Sequence, residues 1–189
     1  MKTTAREKEL HRLIMGIRRC RKCPLHRHRT HAVPGEGPVQ ANILFVGEAP
    51  GKDEDKQGRP FVGHSGQFLD RLMDGVGITR SSLYTTSSVK CRPPKNRTPH
   101  AKELEMCRKA WLDRQISLID PKLIVLLGKV PLRQMLGKKE NLSNLHGQTF
   151  KKDGRTFLVT YHPAAAMRFP KIKDKIRQDL KKVAQFSNS

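Results

Sequence analysis

A chain of 189 residues with 38 Lys and Arg against 17 Asp and Glu carries a formal charge of +21, which calls for a polyanionic partner, in the first place nucleic acid. No run approaches the 18 apolar residues of a membrane span, and the N-terminus lacks a signal-peptide core, so a soluble, intracellular protein is expected and no membrane partner. The length is most simply one domain, residues 1–189, with room for a real core.

Residues 5–19 predict a short helix with Leu10, Leu13, Ile14 and Ile17 on one face. It delivers Cys20 and Cys23 into a basic loop that holds Arg18, Arg19, Arg21, Lys22, Arg27 and Arg29 with His26, His28 and His31. So much charge of one sign beside a cysteine pair is well placed for phosphates, although a solvated surface is the plainer reading. Cys91 and Cys107 complete a set of four. In an intracellular chain disulfides are the lesser use of cysteine. Four thiolates suit either zinc or an iron–sulfur cluster, and spacing alone does not choose between them.

The stretch Asn42 to Gly66 is the centre of the chain. Ile43-Leu44-Phe45-Val46 has the length and composition of a buried strand. Glu48 stands directly at its end. Pro50 and Gly51 turn the chain, an acidic cluster Asp53-Glu54-Asp55 follows in the loop, and Phe61, Gly63 and Gly66 lead into a helix. A phosphate-binding P-loop is set aside: three residues, not four, separate Gly47 from Gly51-Lys52, and Asp53 stands where Ser or Thr would hold magnesium.

Residues 65–76 predict a helix whose Phe68, Leu69, Leu72, Met73 and Val76 are core. Tyr84 to Val89 predicts a second strand carrying Ser87 and Ser88, followed by Lys90, Cys91 and the rigid basic loop RPPKNRTP. Thr98 and Pro99 are expected to cap and begin a long helix bearing Leu104, Cys107 and Trp111 on one side. Leu123 to Leu127 predicts a third strand with a short helix behind it, and Phe157 to Thr160 a fourth that ends at Tyr161-His162-Pro163. Residues 137–155 are polar and suggest irregular structure. Lys171 to Phe186 predicts an amphipathic helix with a strongly basic outer face.

Strands alternating with helices predict an α/β fold, a three-layer α/β/α sandwich around a largely parallel sheet. Ligands of such sheets bind beyond the carboxyl ends of the strands. Glu48, Ser87 and His162 all follow strands in that position, so together with Phe61 they are expected to share one pocket. A carboxylate, a histidine, an aromatic face and a basic rim suit a flat group held beside a phosphate backbone, as when an enzyme flips a base out of DNA.

At these residues the chain resembles the family 4 uracil-DNA glycosylases, the iron–sulfur type of bacteria and archaea. GEAPGKDED, GRPFVGHSG, VKCRPPKNRTP and HPAAAMR, with the four cysteines, run in family order from residue 20 to 168. The resemblance implies a uracil-DNA glycosylase fold and a monofunctional DNA repair enzyme that flips uracil and hydrolyses its N-glycosidic bond. A monomer in the prokaryotic cytoplasm, at the nucleoid, acting on single- or double-stranded DNA, is the expectation. Glu48 would place the attacking water, Ala49 would offer its N–H to the base, Phe61 would stack on it, and His162 would bond the base oxygen and stabilise the departing anion. Cys20, Cys23, Cys91 and Cys107 would ligate a 4Fe–4S cluster, with zinc the lesser choice. Arg92, Lys95 and Arg97 would contact DNA, and Ala165, Ala166, Met167 and Arg168 would probe the minor groove and fill the vacated stack.

The chain departs from the family pattern at one site residue. Many family members have asparagine where this chain has Ser87, and a hydroxyl carries a single donor hydrogen where an amide offers both donor and acceptor. A water or Ser88 could supplement it. Altered specificity, for hypoxanthine or xanthine, is therefore an alternative, and a non-catalytic iron–sulfur nucleic-acid-binding module is another.

Overall fold

The computed structural model describes residues 3–186. Five strands make one sheet: β1 (Ile43–Gly47), β2 (Tyr84–Ser87), β3 (Leu123–Leu127), β4 (Thr149–Lys152) and β5 (Arg155–Thr160), in the order β2-β1-β3-β5-β4. All neighbours are parallel except β4, which runs antiparallel to β5. The register aligns the strand ends: Gly47 lies opposite Ser87, Val46 opposite Leu126, and Leu127 opposite Thr160. The residues that follow β1, β2 and β5 therefore emerge at one level, beyond the carboxyl edge of the sheet.

β1 and β3 are buried along their whole length, as strands covered on both faces must be. Alternate side chains feed two cores. Leu44, Val46, Ile124, Leu126 and Val159 point to one face. There they meet α1 (Ala5–Arg18), α5 (Asp113–Ile119), α6 (Lys129–Leu136) and α7 (Leu142–Leu145). Ile43, Phe45, Leu123, Val125 and Leu158 point to the other. That face is covered by α3 (His64–Asp74), α8 (Pro163–Arg168) and α9 (Pro170–Ala184). The result is the expected three-layer sandwich. A third, smaller cluster lies apart from the sheet and gathers Leu13, Ile17, Leu25, Val89, Cys91, Cys107 and Trp111. Among the described residues no helix is long and apolar enough to cross a membrane.

Four local expectations need correction. The segment 137–155 is structured: it holds α7 and β4, and β4 forms a hairpin with β5 through Asp153 (φ 50°) and Gly154 (φ 73°). The second strand stops at Ser87, two residues early, where Ser88 and Val89 turn to bond Gly47 and Glu48 carbonyls. The acidic cluster lies in a short helix, α2 (Lys52–Gln57), where carboxylates in the first turn favour the exposed N–H groups. The long helix starts at α4 (Ala101–Cys107), not at Pro99: Glu103 at its third position accepts from the His100 N–H at 2.7 Å. α4 passes into α5 through a π-helical segment, Arg108–Leu112. Such bulges often sit at functional positions, and this one carries Trp111.

Candidate active site and cysteine cavity

A cleft of about 590 Å³ opens beyond the carboxyl ends of the strands. Glu48, Ala49, Phe61, Ser87 and His162 all line it, so the residues expected to share a pocket do so. Arg97, Ala165 and Arg168 also border it, with Glu54, Asn96 and Phe169, which sequence reasoning had not placed there. Ser88 does not reach the cleft. It is fully buried, and its hydroxyl has no hydrogen-bond partner.

The floor of the cleft is built by close approach. Phe61 is 7 % exposed and holds a positive φ of 53°, which bulky residues rarely adopt. A side chain at Gly47 would begin 2.7 Å from the Phe61 ring tip, and one at Gly66 would begin 1.9 Å from the Phe61 carbonyl oxygen. Only glycine at both positions lets the ring lie across the end of β1. Phe61 is thus core residue and pocket floor at once.

Glu54 ties the loops together. One carboxylate oxygen accepts from the N–H groups of Val62 (2.9 Å) and Gly63 (2.8 Å), and the other from Gly51 (3.0 Å). Next to it, buried Asp55 accepts from the Thr30 N–H with both oxygens, at 3.0 and 3.1 Å. Read as a bare acidic cluster in the sequence, these residues are latches. The available signal was their placement in a Gly-rich loop, whose turning backbone leaves N–H groups in need of acceptors.

Glu48 and His162 are half-buried, and burial sets their chemistry. Loss of solvent pushes the Glu48 carboxyl above its ordinary value, and a hydrogen bond from the Thr98 hydroxyl partly offsets the rise. Thr98, expected to cap a helix, serves the carboxylate instead. Burial drives the His162 imidazole down to about 4, with the nearby Glu54 charge a smaller, opposing influence. His162 also caps α8: its Nδ1 accepts from the Ala164 N–H at 3.2 Å. That bond requires an unprotonated Nδ1, so the neutral ring carries its proton on Nε2. The strand end before it is anchored by Thr160, whose hydroxyl donates to buried Asp179 at 2.6 Å.

The four cysteines line a second, narrow cavity with Leu25, Val89, Lys90, Met106 and Trp111. Donors address all four sulfurs: Arg29 Nη1 reaches Cys91 at 3.0 Å, Trp111 Nε1 reaches Cys20 at 3.2 Å and the Lys22 N–H reaches Cys20 at 3.5 Å, while the Leu25 N–H bonds Cys23 and the Lys90 N–H bonds Cys107. Such donors favour thiolates or cluster sulfurs over neutral thiols. Burial alone would act the other way, raising Cys23 and Cys91 and pushing Cys107 up to about 12. Among the described residues no three His, Cys, Asp or Glu side chains are grouped as a single metal ion would require. Lys90, which the sequence did not single out, is 1 % exposed. Its ammonium bonds Thr86 Oγ1 (2.5 Å) and the Ser87 carbonyl (2.7 Å), and burial lowers it to about 8.

The basic residues divide into two groups. Arg18, Arg19, Arg21, Lys22, Arg27, His28 and Lys95 are exposed. Arg29 is turned inward, onto Cys91 and the Arg18 carbonyl, and His26 is bonded to the Cys23 carbonyl. Arg92 bonds Asn96, and Arg97 forms a two-pronged pair with Glu103 at 2.8 and 2.9 Å. In α8, Ala166 is buried in the core, whereas Met167 is 50 % exposed, and Phe169 just beyond is 59 % exposed.

A half-buried carboxylate, an imidazole and an aromatic floor thus meet at aligned strand ends, a pocket suited to a flat heterocycle. The chain belongs to the Uracil DNA glycosylase superfamily, whose sequence profile matches residues 34–182. Within it the similarity is to type-4 enzymes. The chain is 40 % identical over 182 residues to the Type-4 uracil-DNA glycosylase of Pyrobaculum aerophilum, covering 91 % of each chain. It is 43 % identical over 177 residues to that of Sulfurisphaera tokodaii (89 % of this chain, 80 % of the relative). It is 39 % identical over 174 residues to that of Thermotoga maritima, covering 90 % of each.

Proposed function

We propose that this protein is a uracil-DNA glycosylase of DNA repair, hydrolysing the bond between uracil and deoxyribose and leaving an abasic site. The observation that carries the mechanism is the hydrogen bond from the Ala164 N–H to His162 Nδ1. With Nδ1 committed to the Ala164 N–H, Nε2–H is the ring's only donor, and the ring lines the cleft. Uracil flipped onto Phe61 would accept that hydrogen bond at a ring oxygen, where negative charge grows as the glycosidic bond breaks. A neutral imidazole gives this stabilisation without surrendering its proton at physiological pH. The sugar meanwhile becomes oxocarbenium-like and needs water on its opposite face. Glu48 orients that water and accepts its proton. Ala49 N–H and the Ser87 hydroxyl complete the contacts to the base, and Arg168 with exposed Met167 occupies the duplex at the vacated position.

Cys20, Cys23, Cys91 and Cys107 suit a 4Fe–4S cluster. Donors address all four sulfurs, and the four cysteines line one cavity. Such a cluster supplies structural cross-linking, here between the basic loop that follows α1, the RPPKNR loop and α4. We place the active form as a monomer on uracil-containing DNA in the cytoplasm.

Single-turnover excision from oligonucleotides carrying one uracil, hypoxanthine or xanthine tests the reading. Wild type should release uracil, and Glu48→Ala or His162→Ala should slow release by about a hundredfold or more while DNA affinity holds. Protein that binds DNA well but excises no deaminated base would overturn it. The single hydroxyl of Ser87 favours a second reading, preference for a deaminated purine. In that case Ser87→Asn should shift excision toward uracil.

A further inference from the structure

We propose that Arg80 is a positioning residue that sets the base-stacking face of Phe61 from behind the cleft. This deepens the glycosylase reading and rests on it. Phe61 has its ring against Gly47 in front and its carbonyl against Gly66 below. Its backbone sits in the left-handed region, a conformation that persists in a bulky residue only when the surroundings impose it. Arg80, in a short turn just before β2, supplies what is missing behind. Its Nη2 donates to the carbonyl of Pro60 at 2.7 Å, fixing the peptide that enters Phe61. Nη1 donates to Asp70 of α3 at 2.9 Å, and Nη2 lies 3.4 Å from Thr85 Oγ1 of β2. The guanidinium carbon stands 5.9 Å from the Phe61 ring centroid, within reach of a cation–π contact.

One planar group thus joins the Phe61 loop, α3 and β2. Lysine, with one compact ammonium, does not reproduce that fork. Arg80 is not among the residues lining the cleft, so it acts on the base through the Pro60–Phe61 segment that it holds.

The test is a double-mutant cycle with Arg80→Ala, Phe61→Ala and both together. It is read as inhibition by free uracil and as single-turnover excision, beside melting temperature and affinity for uracil-free oligonucleotide. Arg80→Ala should weaken uracil inhibition by about tenfold, within the range for losing a base–aromatic stack, and slow excision. Affinity for undamaged DNA should stay within about twofold, since no phosphate contact is removed. Arg80→Lys should recover part of the loss. In the Phe61→Ala background Arg80→Ala should add nothing. Equal effects in both backgrounds would overturn the proposal. So would a variant with lowered melting temperature but wild-type uracil inhibition and excision. Should Arg80→Ala not fold, Asp70→Asn, which removes the carboxylate that pairs with Arg80, must shift uracil inhibition in the same direction; wild-type values there would equally overturn it. A wild-type protein that neither excises nor responds to uracil would instead sink the glycosylase reading, and the two failures are distinct.

Discussion

The cleft and the cysteine cavity lie on either side of the segment Ser87 to Cys91, yet they are held by different forces. In the cleft, polar bonds fix the backbone: Glu54 gathers three N–H groups, Asp179 holds Thr160, and Ala164 orients His162. The cavity is held by apolar packing, and the hydrogen bonds there are aimed at the cysteine sulfurs themselves and tie no loop to another through a carboxylate. A site that must present fixed dipoles to a reaction is organised in advance by the protein. With the proposed cluster bound, the cavity would leave that work to ligand bonds, whose binding energy is also folding energy.

The largest test of that contrast is removal of a ligand. Cys107→Ala should abolish iron content and visible absorbance and lower the melting temperature by on the order of 10 °C or more, as loss of several kcal/mol implies for a domain of this size. Wild type purified anaerobically should be brown; a colourless protein with stoichiometric zinc would break the comparison.

Next in size is Glu54→Ala, which strands the N–H groups of Gly51, Val62 and Gly63. Destabilisation of about 2 kcal/mol or more is expected, with slower excision and unchanged iron content. Denaturant unfolding and iron analysis on one preparation check it. Loss of iron would mean that the two regions are not independent.

The pH profile gives a smaller effect. In the proposed role Glu48 must be ionised to take a proton from water, and burial raises its pKa, so excision should fall as pH drops through a value above the ordinary one for the side chain. Burial lowers His162 to about 4, so its imidazole is neutral at physiological pH. Thr98→Val removes the bond that lowers the Glu48 value and should move the limb to higher pH. A limb that stays put or moves lower would show that Thr98 does not tune the carboxylate.

Salt dependence should show the least. Lys95 is exposed, and Lys95→Ala should reduce the slope of log affinity against log salt by about 0.9, one phosphate contact. Arg97→Ala should leave the slope nearly unchanged and instead lower the melting temperature, because it uncovers buried Glu103.

The buried strands were legible in the sequence because both of their faces are covered. Ile43–Val46 and Leu123–Leu127 are continuous apolar runs that allow no competing period. β4 was not, since Thr149-Phe150-Lys151-Lys152 lies on the sheet's edge, partly in solvent, and its composition reads as loop. Asp153-Gly154 was the overlooked signal, a pair that readily adopts the two positive φ values of a tight hairpin. The cleft residues were found because strand ends are where ligands bind, and the family motifs named them. Of their supports, Arg80 and Asp179 lie outside every motif, and Glu54 and Thr98 lie inside motifs that gave them no role. Arg80, Thr98 and Asp179 each act on a residue distant in sequence, which only folding brings to them, and Glu54 acts through the turn of its own loop.

The two borders of the sheet have a consequence for how the protein behaves when crowded. At β2 the outer backbone of Thr85 is already taken by Glu36, through paired bonds of 2.8 and 2.9 Å. At β4 the outer strand is four residues long, carries Lys151 in solvent, and is covered at Phe150 by the Lys138 ammonium 4.7 Å from the ring. Neither border offers a long, bare row of N–H and C=O groups on which another copy could grow. Concentrated along a DNA molecule by its own charge, the protein is thereby shielded from adding strand to strand and tangling into aggregates.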